Sequence, residues 1–296
     1  MGRSFFLHNI WARIIKVSIQ AGVLYIVATP IGNLGDISTR ALEILRQVSR
    51  IAAEDTRHSA ALLRHYAIDT PMLSLHEHNE RHKLEELLGR LQGGEQLALI
   101  SDAGTPLISD PGYHLVQRCH QAGIKVVPIP GPSALITALC ASGLPTDRFS
   151  FEGFLPNRSA ARSARLEQLK DDPRTLVFYE SPHRILDSLQ DMVTVFGPER
   201  SAVLARELTK TFETIHQDSL AALSEWVAAD ANQQKGEIVL LIKGAVPDPE
   251  QVLSPEAQRI AALLAEELPL KQAAALAARI SGEKKNALYQ FLLEHK

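Results

Sequence analysis

Leu97-Ala98-Leu99-Ile100-Ser101-Asp102-Ala103-Gly104-Thr105-Pro106-Leu107-Ile108-Ser109-Asp110-Pro111-Gly112 is the stretch whose reading decides the fold. Its first four residues are a short apolar run bounded by turn signals, the pattern of a buried strand. The next twelve are rich in Gly, Pro and Asp, and residues 113–121 then show helical spacing. A strand that opens into such a loop and continues as a helix is where open α/β sheets hold ligands. Glycine and small side chains there let the backbone come close to what is bound.

The pattern repeats in both directions. A strand at 23–28 runs into Thr29-Pro30-Ile31-Gly32-Asn33-Leu34-Gly35-Asp36 and then a helix over 38–48, with Asp36 or Ser38 as N-cap. A strand at 50–53 ends in Glu54-Asp55-Thr56-Arg57-His58, followed by helices at 59–66 and 78–91, the latter stopped by Gly93-Gly94. A strand at 125–129 leads through Pro130-Gly131-Pro132-Ser133 into a helix at 134–141. This alternation predicts a mostly parallel sheet with helices on both faces.

The texture changes over 142–148, a Gly/Pro/Asp stretch that reads as a domain boundary. Beyond it the segment 149–154, a basic helix at 158–170, strands at 175–179, 202–205 and 237–242, and helices at 183–196 and 220–229 form a second α/β unit. Pro247-Asp248-Pro249 reads as a linker, and residues 254–296 are helical in pattern. The expected division is an extension at 1–22, an α/β domain at 23–143, a second at 144–246, and a helical domain at 254–296. In that last part, helices at 270–278 and 284–294 around Ile280-Ser281-Gly282 suggest a helix-turn-helix. Lys284-Lys285-Asn286 would then meet phosphates or base edges; a small helical cap with a solvated basic edge fits the pattern as well.

The chain has 296 residues and a formal net charge of −3, so a nucleic-acid partner would have to meet a local basic patch. Arg158, Arg162, Arg165 and Lys170 offer one helical stripe and Lys284-Lys285 another. Two cysteines, Cys119 and Cys140, make neither a disulfide framework nor a zinc site, and their apolar helical contexts predict two buried thiols in a reducing cytoplasm. No run of about eighteen apolar residues predicts a membrane span. Within the first twenty residues, Arg13 and Lys16 interrupt the apolar Phe5-Phe6-Leu7 and Ile10-Trp11, which argues for an extension rather than a signal peptide or anchor.

Three Gly/Pro-rich loops at strand ends, 29–36, 101–112 and 130–134, imply a pocket lined by backbone. Neither the dinucleotide fingerprint G-x-G-x-x-G nor the phosphate loop G-x-x-x-x-G-K-[ST] is present. The first loop with its strand, Ala52-Ala53-Glu54-Asp55-Thr56-Arg57-His58, the loop 101–112 and Pro130-Gly131-Pro132-Ser133-Ala134 together resemble the bacterial ribosomal RNA small-subunit cytidine 2′-O-ribose methyltransferases of the tetrapyrrole-methylase superfamily. Phe178-Tyr179-Glu180-Ser181-Pro182-His183-Arg184, the run from Ala205-Arg206-Glu207-Leu208-Thr209-Lys210 to Thr214, and Lys235-Gly236-Glu237 carry the same resemblance through the second unit. It spans about 23–296. The first loop departs from the Gly-Pro-Gly-Asp type of the tetrapyrrole makers, which weighs against a porphyrin-like substrate.

The resemblance implies a two-domain α/β fold with S-adenosylmethionine in the interdomain cleft and a small C-terminal helix-turn-helix-like unit. It also implies a homodimer and, as substrate, a decoding-centre cytidine of 16S ribosomal RNA, met within the small subunit. Carried over by position, Pro30, Ser101, Asp102, Ala103, Thr105, Ser133 and Ala134 would contact the donor, with Tyr179 and Ala205 from the second unit. Methyl transfer to a 2′-hydroxyl needs alignment and a base or cation near the oxygen. The polar residues at strand ends are the candidates: Glu54, Asp55, Arg57, Glu180, Arg206, Glu207 and Lys210, with Asp55 and Glu180 first as bases; ion pairing within each group is the competing explanation. No metal is required. Two other readings stay open: a methyltransferase of a small molecule such as a tetrapyrrole, and a non-catalytic nucleic-acid-binding module.

Overall fold

A computed structural model describes residues 22–76, 78–246 and 253–295. The expected extension at 1–22, apart from Gly22, and the linker Pro247-Asp248-Pro249 lie outside the described residues. The chain divides into two compact units, one of residues 1–170 and 174–243, the other of 171–173 and 244–296.

The larger unit holds two five-stranded sheets. The first contains β1 (Val23–Val27), β2 (Arg50–Ala53), β3 (Met72–Ser74), β4 (Leu97–Ile100) and β5 (Lys125–Ile129) in the order β3-β2-β4-β1-β5. All four pairings are parallel. Because strand side chains alternate, β4 serves two cores at once. Leu97 and Leu99 face α3 (Glu80–Gln92) and α4 (Tyr113–Gln121), packing with Leu87, Leu91 and Leu115. Ala98 and Ile100 face α1 (Thr39–Gln47) and α2 (Thr56–His65), packing with Ile44, Leu45 and Leu63. Helix α1 starts at Ser38, whose Oγ accepts from Ala41 N at 3.1 Å; Asp36 instead closes a short 3-10 turn.

The second sheet runs β6 (Phe149–Phe154), β7 (Thr175–Glu180), β10 (Ile238–Ile242), β8 (Ser201–Arg206) and β9 (Thr214–Ser219). Only β6 and β7 are parallel; the other three pairings are antiparallel, so the mostly parallel pattern holds for the first sheet alone. One face is covered by α6 (Ser159–Glu167), α7 (Ile185–Phe196) and α8 (Leu220–Ala229). The other face packs Val177, Val203 and Leu241 against Leu135, Ala138 and Leu139 of α5 (Ala134–Ala141), with Ile31 from the loop after β1. That contact joins the two sheets and leaves a cleft over the carboxyl ends of β1, β4 and β5.

Three sequence-based expectations change. Cys119 is buried, but Cys140 is exposed, because α5 is largely apolar and turns one face outward. Arg162 does not belong to a free basic stripe: its side chain is 4% exposed and its Nε lies 2.6 Å from Asp191 of α7. Arg165 is likewise held by Glu152, at 2.6 Å. Strands β3 and β9 escaped the sequence reading, β3 because it has three residues and β9 because Thr214-Ile215-His216-Gln217-Asp218-Ser219 is a polar edge strand.

The smaller unit packs α9 (Pro255–Glu267), α10 (Leu270–Ser281) and α11 (Lys285–Glu294). Buried Ala257, Ala261, Ala273, Ala274 and Ala277 let α9 and α10 approach closely, and Leu288 and Leu292 of α11 close the core. The turn into α11 uses Gly282 at φ +77, a conformation costly for a residue with a Cβ.

Removing Arg162 leaves Asp191 without its buried partner. Arg162→Ala is expected to lower unfolding stability by about 3 kcal/mol, seen as an earlier midpoint in urea with an unchanged slope. An unchanged midpoint would show the pair to be energetically idle.

Candidate active site

Thr29 links the first two loops through two backbone hydrogen bonds with Gly104, Thr29 N to Gly104 O at 2.9 Å and Gly104 N to Thr29 O at 3.1 Å. The Thr29 hydroxyl donates to Ser101 O at 3.2 Å, and Thr105 Oγ1 donates to Pro132 O at 2.9 Å. Loops 29–36, 101–112 and 130–134 are therefore one stitched surface. Close approach is needed: a Cβ on Gly131 would stand 2.9 Å from that of Ala28. From the facing sheet, the Tyr179 hydroxyl accepts from Leu135 N at 3.2 Å and ties the third loop to β7.

These loops and the second sheet enclose a cavity of about 480 Å³, within the range of small-molecule sites. Six of the residues expected at the donor line it: Asp102, Ala103, Thr105, Ser133, Ala134 and Tyr179. The other three are not on its lining. Ser101 is buried, its hydroxyl directed to Ala103 O and Gly104 O, each at 3.4 Å. Ala205 is sealed in the core of the second sheet, and Pro30 adjoins the lining residue Ile31.

Of the candidate acid–base residues, Glu54 and Glu180 line the cavity. Burial and the neighbouring Asp102 push the Glu54 carboxyl above its ordinary range. Asp102 also accepts from Asp55 N at 3.0 Å, anchoring the end of β2 to the second loop. Glu180 is fully committed: it accepts from Arg184 at 2.6 Å, from the Ser188 hydroxyl at 2.6 Å and from Ser181 N at 2.7 Å.

The other five lie off the cavity lining. Asp55 caps α2 and pairs with Arg57 at 2.9 Å; the guanidinium holds its carboxyl down at about 2, and Arg57 itself faces solvent. Arg206 donates to Phe212 O at 3.1 Å, Thr214 Oγ1 at 3.2 Å and Gln233 Oε1 at 3.1 Å, which fastens β8 to its flanking turns. Lys210 Nζ bridges Glu207 at 2.7 Å and Glu237 at 3.0 Å. Burial raises the Glu207 carboxyl, but the hydrogen bonds from Lys210 and Glu237 N outweigh it and hold the group below its usual range. This ion cluster reaches the lining through Glu237 and stands beside the lining residues Leu208 and Gly236.

The sequence reading missed Asp110, which lines the cavity beside Ser109. Burial first, and the nearby Glu54 second, push its carboxyl up to about 6. Its signal lay in plain view, but Asp-Pro-Gly before a helix reads as turn chemistry. The approach of Glu54 from β2 is what makes it electrostatically unusual. The backbone that presents it is strained, with Leu107 at φ 73 and Ser109 at φ 67. Among the described residues no group of three or more His, Cys, Asp and Glu is placed to hold a metal ion.

This arrangement is that of a class of methylases. The crystal structure of diphthine synthase matches with TM-score 0.56 at 14% identity, covering 75% of this chain and 90% of that one. The uroporphyrin-III-C-methyltransferase from Thermus thermophilus matches with TM-score 0.54 at 17% identity, over 75% and 94%. The family model for tetrapyrrole (corrin/porphyrin) methylases matches residues 23–224, and a model for the RsmI C-terminal HTH domain matches residues 251–296. The chain belongs to the tetrapyrrole methylase family. Among curated proteins it is 60% identical to the ribosomal RNA small subunit methyltransferase I of Pseudomonas aeruginosa, over 94% of this chain and 99% of that protein. It is 58% identical to the protein of the same name from Escherichia coli O157:H7, over 93% and 96%.

The protein is a methyltransferase, and its methyl donor is S-adenosylmethionine. The residues present fit that group. Small side chains and exposed backbone of the three loops suit a polar ligand, and the carboxylates Glu54, Asp102 and Asp110 complement a sulfonium cation.

Asp110 makes a testable mark on stability. Its folded value of about 6 lies above the ordinary 3.8, so stability falls as pH rises from about 4 to about 6 and stays reduced above that. Asp110→Asn removes the cost. Its Tm should exceed that of the parent above pH 6, and the two should converge below pH 4; equal melting at pH 8 would contradict the assignment.

Proposed function

We propose that this chain methylates the ribose 2′-hydroxyl of a decoding-centre cytidine in the 16S ribosomal RNA of the small subunit, in the cytoplasm. The observation that carries the reading is the cleft itself: three stitched loops offer backbone to the donor, and a carboxylate raised by burial stands at its acidic wall. The names of relatives that match nearly the whole chain at 58–60% identity support the RNA as substrate. The division of labour is a donor-binding domain at 23–143, a facing wall at 144–246 and an RNA-contacting tail at 254–296.

When bound, S-adenosylmethionine supplies an electrophilic methyl group on a cationic sulfur. The backbone of 103–105 and 133–134, with Asp102 and Thr105, would hold it, with Tyr179 on the facing sheet. Glu54 accepts the proton of the attacking hydroxyl, a task to which its raised pKa suits it better than an ordinary carboxylate. Asp55 and Glu180, with their hydrogen-bonding capacity spent at a helix cap and on Arg184, position α2 and α7 instead.

The test is to incubate the protein with unmodified small subunits and labelled donor, digest the RNA and identify the methylated nucleoside by mass spectrometry. The expected product is 2′-O-methylcytidine; label on a base, or none on RNA, defeats the reading. Glu54→Gln should lower kcat by about a hundredfold or more while donor binding persists.

We further propose a homodimer. Helix α5 is apolar apart from Thr137 and turns Ile136, 51% exposed, and Cys140 outward, a face suited to a second copy. Ile136→Glu is expected to shift sedimentation from dimer to monomer. A parent protein that already sediments as a monomer would refute the dimer.

A further inference from the structure

A second cavity, of about 530 Å³, adjoins the donor cleft. The two share Glu54, Ser109 and Asp110, so the strained loop at 107–109 and the end of β2 form a common wall. The second cavity lies over the carboxyl ends of β2 and β4, outside the donor loops 29–36 and 130–134, and opens between the N-terminal turns of α3 and α4.

Its lining is graded from floor to rim. Glu80 is 4% exposed and is already committed, accepting from Leu115 N at 3.0 Å in the first turn of α4. Glu54 and Asp110, on the shared wall, are half-buried. At the rim stand the exposed side chains of Arg81, His78 and Tyr113. Tyr113 is 60% exposed, yet its ring is steadied by Gln117 Nε2 donating to its hydroxyl at 3.3 Å and by the His114 ring, edge-on with centroids 5.4 Å apart. An exposed aromatic residue and an exposed arginine on the lining of one cavity, with carboxylates deeper in, match the parts of one nucleotide. The ring suits a base, the cation suits a phosphate, and the carboxylates suit ribose hydroxyls.

We propose that this second cavity seats the acceptor nucleotide of single-stranded RNA, with its base stacked on Tyr113, its backbone phosphate at Arg81, and its ribose against the Glu54 wall shared with the donor. The assignment rests on the RNA-methylating reading above and adds its substrate subsite. It also explains why Glu54 belongs to both cavities: the proton acceptor stands where donor and acceptor meet.

The test uses the full chain with small ribosomal subunits and labelled S-adenosylmethionine. Tyr113→Ala should raise KM for the RNA by about tenfold, Tyr113→Phe should restore it, and donor affinity measured by calorimetry should be unchanged in both. Arg81→Ala should raise KM and reduce the dependence of log KM on log salt by about one. Both side chains are exposed, and unchanged donor binding reports that the variants are folded. If the unsubstituted protein methylates the RNA and both alanine variants keep its KM and salt slope, the seat is wrong and the methyltransferase reading stands. If the unsubstituted protein binds donor but leaves the RNA unmethylated, both fall.

Discussion

The pair of backbone hydrogen bonds between Thr29 and Gly104 holds the site together. Loops at the ends of parallel strands have no ladder to satisfy their peptide groups, and buried groups left unpaired are costly. Here the loop after β1 and the loop after β4 satisfy each other, and Thr105 extends the arrangement to the loop after β5 through Pro132 O. The result is a rigid floor made from three distant parts of the chain. The cleft, its acidic wall and the contact of Ile31 with the second sheet all depend on it.

That floor explains a division among polar residues that looked equivalent at the strand ends. Carboxylates that found a cation or a helix terminus became structural: Asp55 on Arg57, Glu180 on Arg184, Glu207 on Lys210. Those held near the floor without a cation became electrostatically unusual. Burial and then Asp102 raise Glu54, while burial, then Glu54 and Asp102, raise Asp110. An anionic, partly dehydrated wall is unfavourable by itself and would be relieved by a cation beside it.

The sequence was a good guide wherever a local rule governed. Leu97 to Ile100 read as a buried strand because only a sheet covered on both faces accepts four consecutive apolar residues. Ser38 and Gly282 marked a helix start and a helix end by capping chemistry. It was a poor guide where one side chain's fate depended on another's position. Arg162 has the spacing of a solvated stripe, and Asp191 on α7 draws it inward. Cys140 has the context of a core thiol, and the outward face of α5 leaves it exposed.

The sequence by itself determined the βαβα alternation, the three ligand loops, the family to which they belong and the helical tail, because periodicity, turn residues and motif spacing are local properties of the chain. The tertiary structure alone decided which carboxylates are committed to ion pairs and helix caps and which line the cavity. It also set Asp110 against Glu54, withdrew Ser101 and Ala205 behind the wall, and opened a second cavity beside the first. Such outcomes depend on distances between residues far apart in sequence, and burial, charge coupling and cavity shape exist only once the loops have been brought together.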